Sequence, residues 1–117
     1  MKTEPGLFTA LSGMDVNEKD WKLFRKYLPD WQENYMEKLI KDYIEFLKGD
    51  GLASDKFWEL EKKIKADRKN PGVLLQDVRR SNFHVHLASL VGYEVISMKD
   101  LDGFSDETKE IVERMVR

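Results

Sequence analysis

The sequence predicts an all-α fold: a compact bundle of about five helices with short loops, built around a central helix near residues 30–48. Three observations predict it. Apolar residues recur at helical spacing along most of the chain. Capping residues, prolines and glycines separate the periodic segments. The central stretch DWQENYMEKLIKDYIEFLK has an apolar arc of roughly 220°, against about 100° for a helix packed on one side, so we expect it to contact neighbours on two sides.

The composition limits the classes of protein to consider. With 117 residues the chain is long enough for one domain with a core of its own. It has no cysteine, which excludes disulfides, thiolate metal sites and a cysteine nucleophile, and suits the reducing cytoplasm, where we expect the protein. No apolar run approaches the roughly 20 residues of a membrane span. The net charge of −2 provides no general attraction to nucleic acid or anionic lipid.

The first elements follow from cap and breaker residues. Residues 1–14 have no lasting periodicity and are interpreted as a tail or loosely docked segment, which Leu7, Phe8 and Leu11 could attach to a single helical domain at residues 15–117. Asn17 is a good N-cap for the first helix. Pro29 disfavours helical geometry at Leu28, so the first helix is predicted to end there.

The central helix is predicted to begin at a capping box and end at a glycine. Asp30 and Glu33 have the spacing of the box, and Gly49 is expected to be the left-handed residue after the helix. Ser54 is predicted to cap a third helix with a narrow apolar stripe, and the sequence Asn-Pro-Gly at residues 70–72 is predicted to end it.

The fourth element, residues 73–91, allows two interpretations. Residues 83–87 alternate in polarity as a strand would. No partner strand is evident, and a single strand leaves its backbone hydrogen-bonding groups unpaired, so a helix is predicted. Ser97 and Asp100 then predict a one-turn helix, MKDL, and Ser105 is predicted to cap a last helix over residues 106–116.

Several stretches resemble a family of short, uncharacterised bacterial helical proteins, a domain of unknown function. They are NEKDWKLFRKYLPDWQENYMEKL, SDKFWELEKKIKADRKNPGV, and RRSNF followed by VISMKDLDGFSDETKEIVERM. The resemblance covers about the last hundred residues, from Asn17 onward. It implies a small helical protein, and it implies no catalytic residues, because none is established for such proteins.

No constellation of residues predicts catalysis, a cofactor or a metal site. His84 and His86 would share a face on a strand, but on a helix they point about 200° apart, and no further zinc ligand has suitable spacing. The acidic residues around Asp100 lack the spacing of a calcium loop and are better explained as caps. We therefore predict that the protein is not an enzyme.

The fourth helix is predicted to carry a surplus apolar face. Leu74, Leu75, Val78 and Val85 form one face, and a second lies nearly opposite. The tail, the last helix or a second copy of the chain could cover it, and symmetric dimers are the commonest assembly. This second face is the candidate protein interface, formed by Phe83, Leu87, Leu90 and Val91.

The charge distribution suggests a second surface. Residues 56–80 hold eight basic and four acidic residues, whereas the flanking segments together carry a net charge of −6. A basic face of this kind could bind phosphates or an acidic protein. A solvated helix surface explains it as well. Its candidate members are Lys62, Lys63, Lys65, Arg68, Lys69, Arg79 and Arg80.

The function predicted from the sequence is a non-enzymatic protein-interaction module that could form a homodimer. The alternative is an accessory nucleic-acid-binding protein that uses the basic segment. A membrane partner is not expected.

Overall fold

A computed structural model of the protein describes residues 16–117. This part of the chain contains four α-helices and no strand, so the all-α prediction is confirmed, although five helices were expected. The tail residues Leu7, Phe8 and Leu11 lie outside the described residues. The helices are α1 (Glu18–Lys48), α2 (Ala53–Asp67), α3 (Phe83–Gly92) and α4 (Asp106–Val116), with 3₁₀ turns at Arg80–Asn82 and Met98–Leu101.

Helix α1 merges two predicted helices into one of 31 residues. Asn17 caps it as predicted, because its Oδ1 accepts hydrogen bonds from the backbone N–H groups of Lys19 (2.9 Å) and Asp20 (3.2 Å). The predicted break at Pro29 and the capping box at Asp30 are wrong. A proline removes one backbone hydrogen bond. Aromatic packing on both sides of Pro29 favours a continuous helix, since Phe24 and Trp31 lie 6.5 Å apart by ring centroid across it.

The molecule is elongated and measures 65 × 26 × 23 Å. Its radius of gyration is 17.8 Å, against about 13 Å for a compact domain of this size. One end, which we call the head, contains residues 16–31 and 73–117. From it extends the hairpin arm, residues 36–69, formed by the second half of α1 and the antiparallel helix α2.

The core lies in the head and not around residues 30–48, so the prediction of a central helix is wrong. The buried residues of α1 are all at its first turns, namely Asp20, Trp21 and Phe24. The described residues of α2 include no buried one. The buried apolar side chains are Trp21, Phe24, Phe83, Leu87, Leu90, Ile96, Leu101, Phe104 and Val112.

The fourth element is helical, as chosen from the sequence, but it is shorter than predicted. Helix α3 begins only at Phe83, and residues 73–79 form a loop in which Asp77 adopts a positive φ of 57°. Leu75 and Val78 of that loop pack on the head core. The first of the two predicted apolar faces is therefore not formed: Leu74 is 49% exposed, and Val85 lies on α3 and is 55% exposed.

Of the four other predicted caps, two are observed and two are wrong. Ser97 and Asp100 form the capping box of the 3₁₀ turn, and the Ser105 hydroxyl caps α4 by accepting from the Thr108 N–H. Ser54 caps nothing, because α2 begins one residue earlier and has no side-chain cap. Gly49 ends α1 with an ordinary φ of −71°, and the left-handed glycine is Gly51.

A close backbone approach joins the arm to the head. Gln32 Nε2 donates to the carbonyl oxygen of Pro71 (2.9 Å), and Asn70 Nδ2 donates to Tyr35 Oη (3.1 Å). Gly72 is buried between α1 and the head, and a Cβ there would lie 2.7 Å from Tyr35 Cγ and 2.8 Å from Val95 Cγ2. Only glycine fits this position without a shift of its neighbours.

Candidate interaction surfaces

The interface proposed from the sequence is covered by the chain itself. Phe83, Leu87 and Leu90 are fully buried in the head core, and Val91 is half-buried against it. Phe83 packs edge-on against Trp21 and Phe24, with centroid distances of 6.1 and 5.4 Å. These residues are therefore unavailable to a partner, and of the alternatives left open, burial within the chain is the one observed.

A buried carboxylate in the head binds the start of α4. Asp20 Oδ1 accepts from the Ser105 N–H (3.0 Å), and its Oδ2 accepts from the hydroxyls of Ser105 and Thr108, both at 2.6 Å. A negative group at a helix N-terminus is also favoured by the helix dipole. Three hydrogen bonds occupy a carboxylate that is 1% exposed, so it joins two helices and is closed to a substrate.

The two histidines lie in different environments: His84 is buried and His86 is half-buried. Burial lowers the pKa of His84, although the negative charges of Asp20 and Glu107 partly oppose it. Burial also lowers the pKa of His86, whose Nε2 has no hydrogen-bond partner among the described residues. Among residues 16–117 no group of three or more His, Asp or Glu side chains could hold a metal ion.

The exposed apolar surface lies on the hairpin arm. Its members follow helical spacing on each helix, at i, i+4, i+7 on α1 and at i, i+3, i+7 on α2. Five of them are 40–64% exposed, and Leu60 is half-buried. We call this surface the arm face; it consists of Ile40, Ile44, Leu47, Phe57, Leu60 and Ile64.

Two contacts between the helices place all six residues on one side of the hairpin. Tyr43 Oη donates to Asp67 Oδ2 (2.5 Å), which defines where α1 and α2 meet. Lys63 Nζ lies 4.9 Å from the centroid of the Phe46 ring, which defines one flank of the hairpin. At about 100° per residue, the arm face lies on the flank opposite to Phe46 and Lys63 on both helices. The contiguous surface therefore spans α1 and α2.

The junction between the two arm helices is partly polar. Burial, followed by the hydrogen bond to Asp67, raises the pKa of Tyr43 to about 12. Lys56 Nζ donates to the carbonyl oxygen of Leu47 (2.9 Å) near the hairpin tip. These bonds align the helices while the larger apolar side chains remain on the outside.

The predicted basic face is divided by the fold. Arg80 pairs with Glu18 (2.8 Å) and its guanidinium carbon lies 5.4 Å from the Trp21 ring centroid, while Arg79 pairs with Asp77 (2.6 Å). Both arginines thus belong to the head. The other five residues lie along α2 and directly after it, without a salt bridge in the described part of the chain. They are Lys62, Lys63, Lys65, Arg68 and Lys69.

The sequence predicts that Ile40, Ile44 and Leu47 belong to the core, because they lie in the wide apolar arc typical of a buried helix. The other half of the arm face is the narrow apolar stripe of the third helix, which predicts a surface helix; it contains Phe57, Leu60 and Ile64. A possible signal was the width of that arc, since it exceeds what one neighbouring helix can cover. Asp20 gave no comparable signal, because its partners are 85 and 88 residues away.

In comparisons with known proteins, no family model, no curated protein and no solved structure matches the chain. The resemblance to uncharacterised bacterial proteins stays a prediction. No helix in residues 16–117 is both long enough and apolar enough to cross a membrane.

Proposed function

We propose that this protein is a non-enzymatic interaction module that binds a protein through the arm face. The observation that carries the proposal is a contiguous apolar surface on a projecting helical hairpin. Exposed apolar patches of this kind usually mark interfaces, because leaving them in water sacrifices the free energy of burial. The interface predicted from the sequence is thereby moved from α3 to the arm.

The head and the arm have complementary roles in this proposal. The head supplies a packed core that fixes the first turns of α1, and α1 continues from it as a rigid support for the arm. Helices that present i, i+3, i+4 and i+7 apolar residues dock against other helices or into apolar grooves. A helical partner surface is therefore the best match for the arm face.

Two further features support a binding role in the cytoplasm over catalysis. The most enclosed carboxylate, Asp20, is fully used in holding α4. The chain has no cysteine to oxidise, which suits a reducing compartment.

Site-specific photocrosslinking in cells tests the proposal. A benzophenone amino acid replaces Ile44 on the arm face or, as a control, the neighbouring Glu45, which points about 100° away. We expect a covalent adduct with a protein from position 44 and little from position 45. The position-44 adduct should be lost with a second substitution, Ile64→Glu, and retained with Val85→Glu, an exposed apolar residue of the head. Equal adducts from both positions, or none, would contradict the proposal.

Nucleic-acid binding is the alternative function, and one observation favours it. Five cations on and after α2 have no salt bridge within residues 16–117, and Lys65, Arg68 and Lys69 line a surface cavity of about 800 Å³ together with Leu74 and Gln76. Unpaired cations release counterions when they bind phosphates.

Fluorescence anisotropy with random duplex and single-stranded DNA tests this alternative. Binding should weaken steeply between about 50 and 200 mM salt, and Lys65→Glu should weaken it further. Arg114→Glu is the control, because Arg114 already lies near Glu110 on α4, at 3.7 Å. Salt-independent binding, or equal losses in the two variants, would exclude the alternative.

A further inference from the structure

We propose that the partner of the arm face is a second copy of this chain, docked antiparallel so that two hairpins form a four-helix bundle with the heads at opposite ends. This inference rests on the proposed function and identifies its partner. It is argued from the area of the arm face and from the charges along its two edges.

The apolar area fits a homodimer. Five of its six side chains are 40–64% exposed and Leu60 is half-buried, so together they present on the order of 500 Å². A standard interface buries about 800 Å² on each partner, and homodimer interfaces are about 65% apolar, which also amounts to roughly 500 Å². The arm face alone thus provides the apolar part of such an interface.

A two-fold rotation would bring the charges on the edge of α1 in one copy next to opposite charges on the same edge in the second copy. Glu37 and Lys48 lie on the same edge of the arm face, because eleven residues return a helix to nearly the same direction. Their midpoint is between residues 42 and 43. When two α1 helices pack antiparallel about that midpoint, Glu37 of each copy meets Lys48 of the other. Lys48 is free to make this contact, since its only salt bridge is a long one of 3.8 Å to the exposed Glu45.

Helix α2 has the same arrangement. Glu61 and Arg68 lie seven residues apart along its edge of the arm face, and both border the shallow cavity of about 300 Å³ formed with Phe57, Leu60 and Ile64. Their midpoint lies between residues 64 and 65. Antiparallel packing about that midpoint places Glu61 of each copy opposite Arg68 of the other.

One rotation axis satisfies both helices. The hairpin contacts pair Tyr43 with Asp67 and Phe46 with Lys63. Since both helices rise about 1.5 Å per residue, these contacts place residues 42 and 43 of α1 level with about residue 67 of α2. The two midpoints therefore differ in level by about 4 Å, less than the length of a lysine or arginine side chain. A single axis across the arm then brings all four pairs of opposite charges within reach of each other, which favours a second copy as the partner.

The other symmetric arrangement has both heads at one end and packs α1 of one copy over α2 of the other. It places Lys48 level with Glu61, but it leaves Glu37 beyond the end of α2 and places Lys41 level with Arg68. Like charges at close range disfavour a docked state. The head leaves the arm face open for the antiparallel arrangement, since its segment at residues 91–98 borders Lys38, on a different side of α1.

Sedimentation equilibrium of the full chain tests the proposal with a charge-exchange design. The unaltered chain should dimerise at micromolar concentration. Glu37→Lys and Lys48→Glu should each weaken the dimer about ten-fold or more, because each creates two like-charged contacts. An equimolar mixture of the two variants should restore dimers, since the mixed pair has only opposite charges at these positions. Glu59→Lys is the control, because it changes the charge by the same amount as Glu37→Lys but lies away from the arm face. Glu59 borders a different cavity, together with Phe46 and Trp58.

An apolar variant provides the second measurement. Ile40→Glu should weaken the dimer at least a hundred-fold, since both copies lose an apolar contact and place a charge in the interface. Val85→Glu on the head should leave it unchanged, although Val85 is equally exposed at 55%. Circular dichroism establishes that each variant remains helical.

Three outcomes would overturn the proposal: a monomer at all concentrations up to about 100 μM, a dimer indifferent to Glu37→Lys, or a mixture that fails to restore association. Failure of this inference can be distinguished from failure of the proposed function. A position-44 adduct whose mass is not twice that of the chain would retain the arm face as a binding site and reject the second copy. The absence of any adduct would reject both.

Discussion

The head and the hairpin arm contain similar proportions of apolar residues at helical spacing, but the fold treats them in opposite ways. In the head, Phe24, Phe83 and Leu87 are fully buried by three helices and the turns between them. In the arm, two helices face only each other, and Ile40 and Phe57 remain more than half exposed. Apolar periodicity therefore marks a surface that needs a partner, and the number of neighbouring elements decides whether the chain supplies it.

The largest expected effect comes from one substitution made in both regions. Leu87→Ala should reduce the free energy of unfolding by about 2–5 kcal/mol, because it leaves a cavity in the core. Leu47→Ala, at a residue 40% exposed, should cost less than about 1 kcal/mol in the monomer. Urea unfolding at a concentration too low for self-association measures both. Equal losses would show that the arm is packed as tightly as the head.

The buried carboxylate provides the next effect. Asp20→Asn should reduce the free energy of unfolding by about 2–3 kcal/mol, since an amide cannot accept all three hydrogen bonds from Ser105 and Thr108 and brings a donor against donors. Asp30→Asn, on the exposed surface of the same helix, should change it by less than about 0.5 kcal/mol. Urea unfolding measures both free energies, and equal stability of the two variants would contradict the prediction.

The third comparison is between two glycine substitutions, one at the junction between the head and the arm and one in the head. Gly72→Ala should cost about 1–3 kcal/mol, because the new methyl group overlaps Tyr35 and Val95. Gly92→Ala should be neutral or slightly stabilising, since nothing lies within 4 Å of a Cβ there. Hydrogen exchange would additionally show whether the loss at Gly72 is concentrated in the arm. Protection lost equally throughout the head would contradict a local effect.

The smallest effect is a pH dependence confined to the head. Burial holds the pKa of His84 below its ordinary value of 6.5, so the unfolded chain binds a proton more readily than the folded one. The contribution is fully present above pH 6.5 and is lost as the pH falls from there toward the folded-state pKa. Between about pH 7.5 and 5.5 the unaltered chain should lose more stability than His84→Gln. Equal losses of stability in the two proteins would show that groups other than His84 cause the pH dependence.

Features that depend on neighbouring residues were predictable from the sequence. The cap at Asn17, the box at Ser97 and Asp100, and the cap at Ser105 each involve groups within three residues, and each is observed. Helix α3 was chosen over a strand because no partner strand existed. The break at Pro29 failed because aromatic contacts between Phe24, Trp31 and Phe104 outweigh a local preference.

The amino-acid sequence by itself determined the all-α class and the caps at which α1 and α4 begin, because these follow from backbone geometry and short-range hydrogen bonds. Only the tertiary structure decided which faces became core. A helical wheel gives the direction of a side chain and no information about what lies opposite, so Phe83, Leu87 and Leu90 were mistaken for an interface. The residues assigned to the centre, Ile40, Ile44 and Leu47, form the exposed surface, because the chain folds back beside them only once.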